Sequence, residues 1–240
     1  MKVAHYLVVL MTLSAPLSAA WVWVEGEQAT KTNIGKHPWY YGAVKKDQLS
    51  GGDFLAHYDA SKVGEADYTV QIPEAGDYTL WLRANPIKSV LKLSINGSAP
   101  AAIDFSQGQT GNTNIAANGA PDMRFLTWCQ AGKFTLKAGT VNVRFTMESV
   151  ESNHGAIDCF LFTTTPFAPM GAMKPDQLEG YAKKVAAANA GWVAWNPAAE
   201  EFKESVIDLR PLNEKFAGEQ GAIQAKGEQF VHGSTGRPVR

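Results

Sequence analysis

Charge of one sign is not in excess in this chain: 22 Lys and Arg stand against 23 Asp and Glu, for a formal net charge of −1. A polyanion binder carries a basic surplus, so a chain built to seek nucleic acid is excluded. Cysteine is scarce, with two residues in 240, and no Cys-x-x-Cys pair exists. Gly-x-Ser-x-Gly, His-Glu-x-x-His and Gly-x-x-x-x-Gly-Lys are also missing, which removes the commonest hydrolase, metalloprotease and phosphate-binding signatures. After the first 20 residues no apolar run approaches the roughly 20 needed to span a bilayer. No internal repeat covers the chain.

What is present is aromatic and turn-rich: 7 Trp, 7 Tyr and 11 Phe beside 22 Gly and 12 Pro. Met1–Ala20 combines a basic start (Lys2), a short apolar middle and a small-residue end (Ser18-Ala19-Ala20), the three parts of a secretory signal peptide. The mature chain is therefore expected to begin at Trp21 and to work outside the cytoplasm, extracellular or periplasmic, without a membrane anchor. Tyr68, Val70 and Ile72 alternate with polar residues, Pro73-Glu74-Ala75-Gly76 breaks the run, and Tyr78, Leu80 and Leu82 resume it. This pattern predicts a strand, a turn and a second strand. The same grammar recurs in Phe134–Leu136, the turn at Lys137-Ala138-Gly139, and Val141–Met147. Leu91–Ile95 ends at Asn96-Gly97, a strong hairpin signal. Trp21–Glu27, Phe125–Cys129 and Ile157–Phe162 supply further strands. Many short strands with no helical segment between them predict an all-β fold, an antiparallel β-sandwich or jelly roll.

Near residue 165 the character changes. Pro166, Pro169 and Pro175 mark a connector, and the Ala, Lys, Glu and Leu-rich run from Pro175 to Ala190 predicts a helix stopping at Gly191. Val206–Leu209 and Gly221–Val231 read as short strands, a β-hairpin segment at the C-terminal end. Four regions follow: a signal peptide (1–20), a sandwich (21–165), a helical linker (166–205), and the incomplete start of a further domain (206–240). Cys129 and Cys159 both fall in strands, and an oxidising compartment leaves two readings open, a bridge between them or two buried thiols.

The stretch Tyr68 to Ala84 resembles the central hairpin of carbohydrate-binding modules of families 6 and 35. Val24-Glu25-Gly26-Glu27-Gln28-Ala29 is similar to their opening Glu-Ala-Glu. Ser50-Gly51-Gly52-Asp53, Leu136–Phe145 and Ala156–Phe162 follow in the same order as landmarks of those modules. The resemblance covers about Trp21 to Thr165 and implies a galactose-binding-like β-sandwich that binds polysaccharide or oligosaccharide. Asp208–Lys215, Gly221–Val231 and Gly236–Arg240 resemble the hairpin that leads into the (β/α)₈ barrel of cellulase-like glycoside hydrolases. That likeness implies a non-catalytic targeting region joined to a downstream catalytic domain.

In those families the matching acids hold a structural Ca²⁺, which places the metal on Glu25, Glu27 and Asp158. On an extended strand Glu25 and Glu27 share a face and repel unless solvated or bridged by a cation. Asp158 lies in an apolar run and needs a partner. Sugar binding needs flat aromatic faces with polar groups beside them. Trp39, Tyr40, Tyr58, Phe125 and Trp128 are the candidate platforms, Asn153 and His154 the candidate polar contacts, and Arg83 or Lys88 could meet a uronic acid. For Trp23 and Trp81, inside strands, core packing is the preferred reading, and His37 and His57 read as ordinary loop residues. Two other classes compete: a self-contained polysaccharide-degrading enzyme with its acids among Asp53, Glu148, Glu151 and Asp158, or an adhesion or scaffold module. Glu200, Glu201, Glu204 and Asp208 read as a solvated face.

Overall fold

The alternating runs fold as antiparallel strands. A computed structural model describes residues 20–106, 108–149, 152–193 and 215–239. The signal peptide expected over residues 1–20 (all but Ala20), Glu151, the acids Glu200, Glu201, Glu204 and Asp208, and the strand expected at Val206–Leu209 lie outside the described residues. In chain order the first eleven strands are β1 (Trp21–Glu25), β2 (Lys31–Thr32), β3 (Leu55–Asp59), β4 (Gly64–Ile72), β5 (Gly76–Asn85), β6 (Val90–Ile95), β7 (Ala101–Ala102), β8 (Thr110–Asn114), β9 (Phe125–Leu136), β10 (Gly139–Glu148) and β11 (Asn153–Thr163). One sheet runs β1-β11-β5-β9-β8, with β3 also pairing β11, and the other runs β2-β4-β10-β6-β7. Every pairing is antiparallel, so the chain forms the expected β-sandwich.

Side chains alternate across a strand, so one residue in two enters the space between the sheets. Tyr68, Val70, Ile72, Val141, Val143 and Phe145 from one sheet meet Leu80, Leu82, Phe160 and Phe162 from the other in the main core. The turn after β6 places Asn96 (φ 50°) and Gly97 (φ 76°) in the left-handed region that such hairpins require. A second cluster of Tyr40, Val44, Leu49, Phe54, Ala56, Ile115, Leu126 and Ala156 fills the base of the loops at one end of the sandwich.

The larger sheet is covered on its other face as well. Trp81, Trp128, Cys159 and Leu161 are buried there beneath Trp21, Trp23 and Phe167. The Trp128 indole N–H donates to the Gly171 carbonyl (2.8 Å), and Phe167 meets the edges of both Trp81 and Trp128. The proline-marked connector thus lies against this sheet and leads into helix α1 (Pro175–Ala188), whose bounds agree with the sequence expectation to within two residues.

Cys129 and Cys159 are both buried and unbridged, which decides between the two readings left open above. Cys129 belongs to the core between the sheets and Cys159 to the opposite face. Strand β5 runs between β9 and β11, which puts their strands about two spacings of ~4.8 Å apart, beyond disulfide reach.

The described residues form two compact units, 20–188 and 189–239. In the second, β12 (Ile223–Lys226) and β13 (Gln229–His232) form the expected hairpin, turning at Gly227 (φ 62°). Among the described residues no helix is long and apolar enough to cross a membrane.

Candidate functional site

The loops above the second cluster enclose an open cavity of about 240 Å³, lined among others by Trp39, Tyr40, Tyr58, Asn85, Lys88 and His154. It is smaller than the roughly 300–1,000 Å³ of clefts that engulf a drug-sized ligand. It therefore suits a short unit of a longer molecule that continues over the rim. Trp39 and Tyr58 form that rim, 43% and 44% exposed. The Arg124 guanidinium lies 4.9 Å from the Trp39 ring centre, held in place by Asp122, by the Asn118 side chain and by the Ala43 carbonyl.

Asn85, at the end of β5, organises the cavity wall. Its side-chain amide nitrogen shares two N–H groups among three acceptors, the Tyr40 hydroxyl (2.8 Å) and the carbonyls of Met123 (2.8 Å) and Phe125 (2.7 Å). Its Oδ1 accepts from the Ile87 N–H (2.9 Å) and shapes the turn that carries Lys88 at φ 48°. Tyr40 is buried, and burial pushes its hydroxyl far above the ordinary tyrosine range. On the opposite wall, antiparallel pairing sets His154 of β11 against Tyr58 of β3. Both His154 ring nitrogens lie within hydrogen-bonding distance of carbonyl oxygens, Ser152 at 3.0 Å and Ile87 at 3.1 Å.

Of the residues singled out in the sequence, Trp39, Tyr40, Tyr58, Lys88 and His154 line this one cavity. Asn153 pairs with Asp59 at the start of β11 and does not line it. Phe125 contributes its backbone carbonyl, which accepts from Tyr40 and Asn85. The platform expected at Trp128 does not hold, because its ring is fully buried under Phe167 and Trp23. Arg83 cannot meet a ligand, being wholly buried against Asp158. Asn85 escaped the sequence reading, and His37, read there as an ordinary loop residue, also lines the cavity. The signals were a polar residue closing a strand before Pro86, and a histidine before Pro38.

The paired acids are arranged differently from the expectation. Strand β1 ends at Glu25, and Gly26–Gln28 turns as a 3₁₀ segment, so Glu25 and Glu27 do not share a strand face. They nevertheless converge at Gly51, where a Cβ would lie 2.7 Å from Glu27 Oε1 and 3.5 Å from the Glu25 carboxyl carbon. One oxygen of each carboxylate, Oε2, is buried without a hydrogen-bond partner. Lys174 reaches the other Glu25 oxygen at 2.9 Å. Burial, with the fields of Glu25, Asp53 and Asp158 added, lifts the Glu27 carboxyl to about 7. Two orphaned carboxylate oxygens around a side-chain-free glycine fit a hard cation.

Asp158 is engaged elsewhere. A β-bulge between Ile157 and Cys159 leaves it without a partner on β5 and turns its carboxylate to Arg83 (2.6 Å) and the Ser50 N–H (3.0 Å). Burial raises it to about 6, with Arg83 pulling the other way. Among the described residues no three His, Cys, Asp or Glu side chains converge as a metal-binding group. The other acids of the hydrolase reading are likewise paired, Asp53 with Lys46 and Glu148 with Lys92.

No known family profile matches the chain, and no curated protein matches it. Solved structures similar to it include the GH26-CBM35 β-(1,4)-mannanase of Podospora anserina, at 17% identity and a TM-score of 0.41, covering 62% of this chain and 29% of that one. A CBM35 module of Cellvibrio japonicus is 14% identical with a TM-score of 0.39, over 63% of this chain and 97% of the module. An insecticidal crystal protein scores alike, at 19% identity and a TM-score of 0.42 over 62% of this chain and 22% of that one. Scores of this size assign neither ligand nor activity.

Proposed function

We propose that the chain is a secreted carbohydrate-binding module that holds a polysaccharide at the loop cavity, as the non-catalytic targeting part of a polysaccharide-degrading enzyme. The observation that carries this reading is the pair of half-exposed rings, Trp39 and Tyr58, at the mouth of a cavity that the exposed Lys88 also lines. Flat aromatic faces cover the apolar side of a pyranose, and the polar groups beside them meet its hydroxyls. A sugar unit enters the cavity while its neighbours lie across the rim.

Glu25 and Glu27 hold a structural Ca²⁺ in this reading. When bound, the ion neutralises the two carboxylates and ties the 3₁₀ segment after β1 to the 50–53 loop. The role is architectural, since Lys174 and Gly51, not the cavity, neighbour the pair. Asp158 is already neutralised by Arg83.

Calorimetry against glucomannan, xylan, polygalacturonate and agaro-oligosaccharides, with Ca²⁺ and with chelator, tests the proposal. Saturable binding of at least one glycan is expected. No binding in either condition would sink it, and release of reducing ends by this chain alone would favour the enzymatic alternative.

A further inference from the structure

His37 stands at the centre of the cavity loop. Its N–H donates to the Ala56 carbonyl (2.7 Å), anchoring it to β3, and its carbonyl accepts from the Tyr41 N–H (3.0 Å). Its Nδ1 accepts from the Tyr40 N–H (3.0 Å) and the Trp39 N–H (3.3 Å). The same ring contacts Tyr58, Tyr40 and Trp39, with centroids 5.0, 5.8 and 6.3 Å away. A single imidazole therefore sets the backbone of two cavity aromatics and touches the side chains of all three. An Nδ1 that accepts two N–H donors must carry a lone pair, so the proton of the neutral ring sits on Nε2.

We infer that His37 is the positioning residue for the aromatic rim, that it acts only as the neutral imidazole, and that glycan binding at this cavity consequently has an acid limb. The binding half of the inference rests on the cavity being the glycan site. Protonation would place a third N–H against two donors and release the turn that presents Trp39 and Tyr40. The surroundings offer the cation no relief. Tyr58 faces it from β3, His154 from β11, Lys88 from the turn after β5 and Tyr40 from its own loop; Arg124 covers Trp39, and His57, on the other face of β3, adds its field. The carboxylates nearby in sequence to these groups are engaged, Asp122 with Arg124 and Asp59 with the Ser61 and Lys62 amides, and none lines the cavity. In accord, burial, and after it His154, holds the imidazole below its usual 6.5.

The closed loop thus binds fewer protons than an open one. Closure is complete above about 6.5 and is lost as the pH falls through the His37 midpoint, beyond which apparent affinity drops about tenfold per pH unit.

Two measurements on the full chain test this between pH 8 and 4.5. Heteronuclear NMR follows the His37 ring nitrogens and the Trp39 and Tyr40 amides, and calorimetry follows binding of the glycans named above. Both amides are expected to titrate with the His37 ring, at a midpoint below 6.5, and affinity to fall with them. His37→Ala should weaken binding at least about tenfold at pH 8, a loss of about 1.4 kcal/mol. His37→Asn, whose Oδ1 accepts from the same two N–H groups without titrating, should recover most of that loss and show no acid limb. Amides that stay fixed while the ring titrates, or an acid limb that persists in His37→Asn, would overturn the inference. Co-titrating amides without glycan binding at any pH would sustain the loop role and count against the glycan reading.

Discussion

Trp39 and Tyr58 each present a face to solvent that a sugar ring could cover, roughly 50–100 Å² worth about 1–2.5 kcal/mol at ~25 cal/mol/Å². Trp39→Ala or Tyr58→Ala should therefore weaken glycan binding by about tenfold each, read by calorimetry, with the melting temperature unchanged because neither ring is buried. Arg83 and Asp158 behave in the opposite way, wholly enclosed and dependent on each other. Arg83→Met or Asp158→Leu alone strands one charge in the interior and should cost about 3–5 kcal/mol in urea denaturation. The double variant should recover most of that loss. Arg83 also leaves Nε and Nη2 buried without partners, so the pair is costly to keep as well as to break.

At the scale of elements, the two thiols report on the sheet. Because β5 separates β9 from β11 and the cysteines face opposite sides, a reductant should leave the melting temperature unchanged. Burial pushes the Cys129 thiol up to about 12 and the Cys159 thiol well above its usual value, so an aromatic disulfide reagent should label neither until the chain unfolds. Strands β4 and β10 were legible because only one face of each meets the core, and period-two alternation records that face. The burial of Trp128 was not legible, since a sheet covered on both sides places core residues in both phases of the alternation. The bulge at Asp158 was hidden for a related reason: one extra residue re-aims a side chain without changing composition. The aromatic rim was visible in the run Trp39-Tyr40-Tyr41. The imidazole that orders it was not, because a lone histidine has no spacing partner and its role lies in backbone contacts.

For the molecule as a whole, the Glu27 carboxyl ties stability to pH and, in the proposed reading, to calcium. The folded chain keeps the Glu27 proton to about pH 7, whereas an unfolded chain releases it near 4.5, so without a cation this group's contribution to stability falls as pH rises between those values. Calcium held there as proposed would favour the ionised form and should raise the melting temperature more at pH 8 than at pH 5.5, as read by differential scanning calorimetry. Glu27→Gln should flatten both the pH trend and the calcium response. An equal calcium response at the two pH values would count against Glu27 as a ligand.

The first and last strands of the sandwich lie side by side. Trp21 pairs with Thr163 in β1 and β11, and the Ala20 N–H donates to the Thr164 hydroxyl at 3.2 Å. The chain leaves the sheet where it entered. Joining the connector after Lys174, which reaches Glu25 of β1, to residue 21 by a flexible link and opening the chain at the exposed Asn96-Gly97 turn would keep every strand neighbour, and the cover over Trp81 and Trp128, in place. The loop cavity lies on other turns, so this sandwich suits circular permutation, or insertion into a surface loop of a host protein.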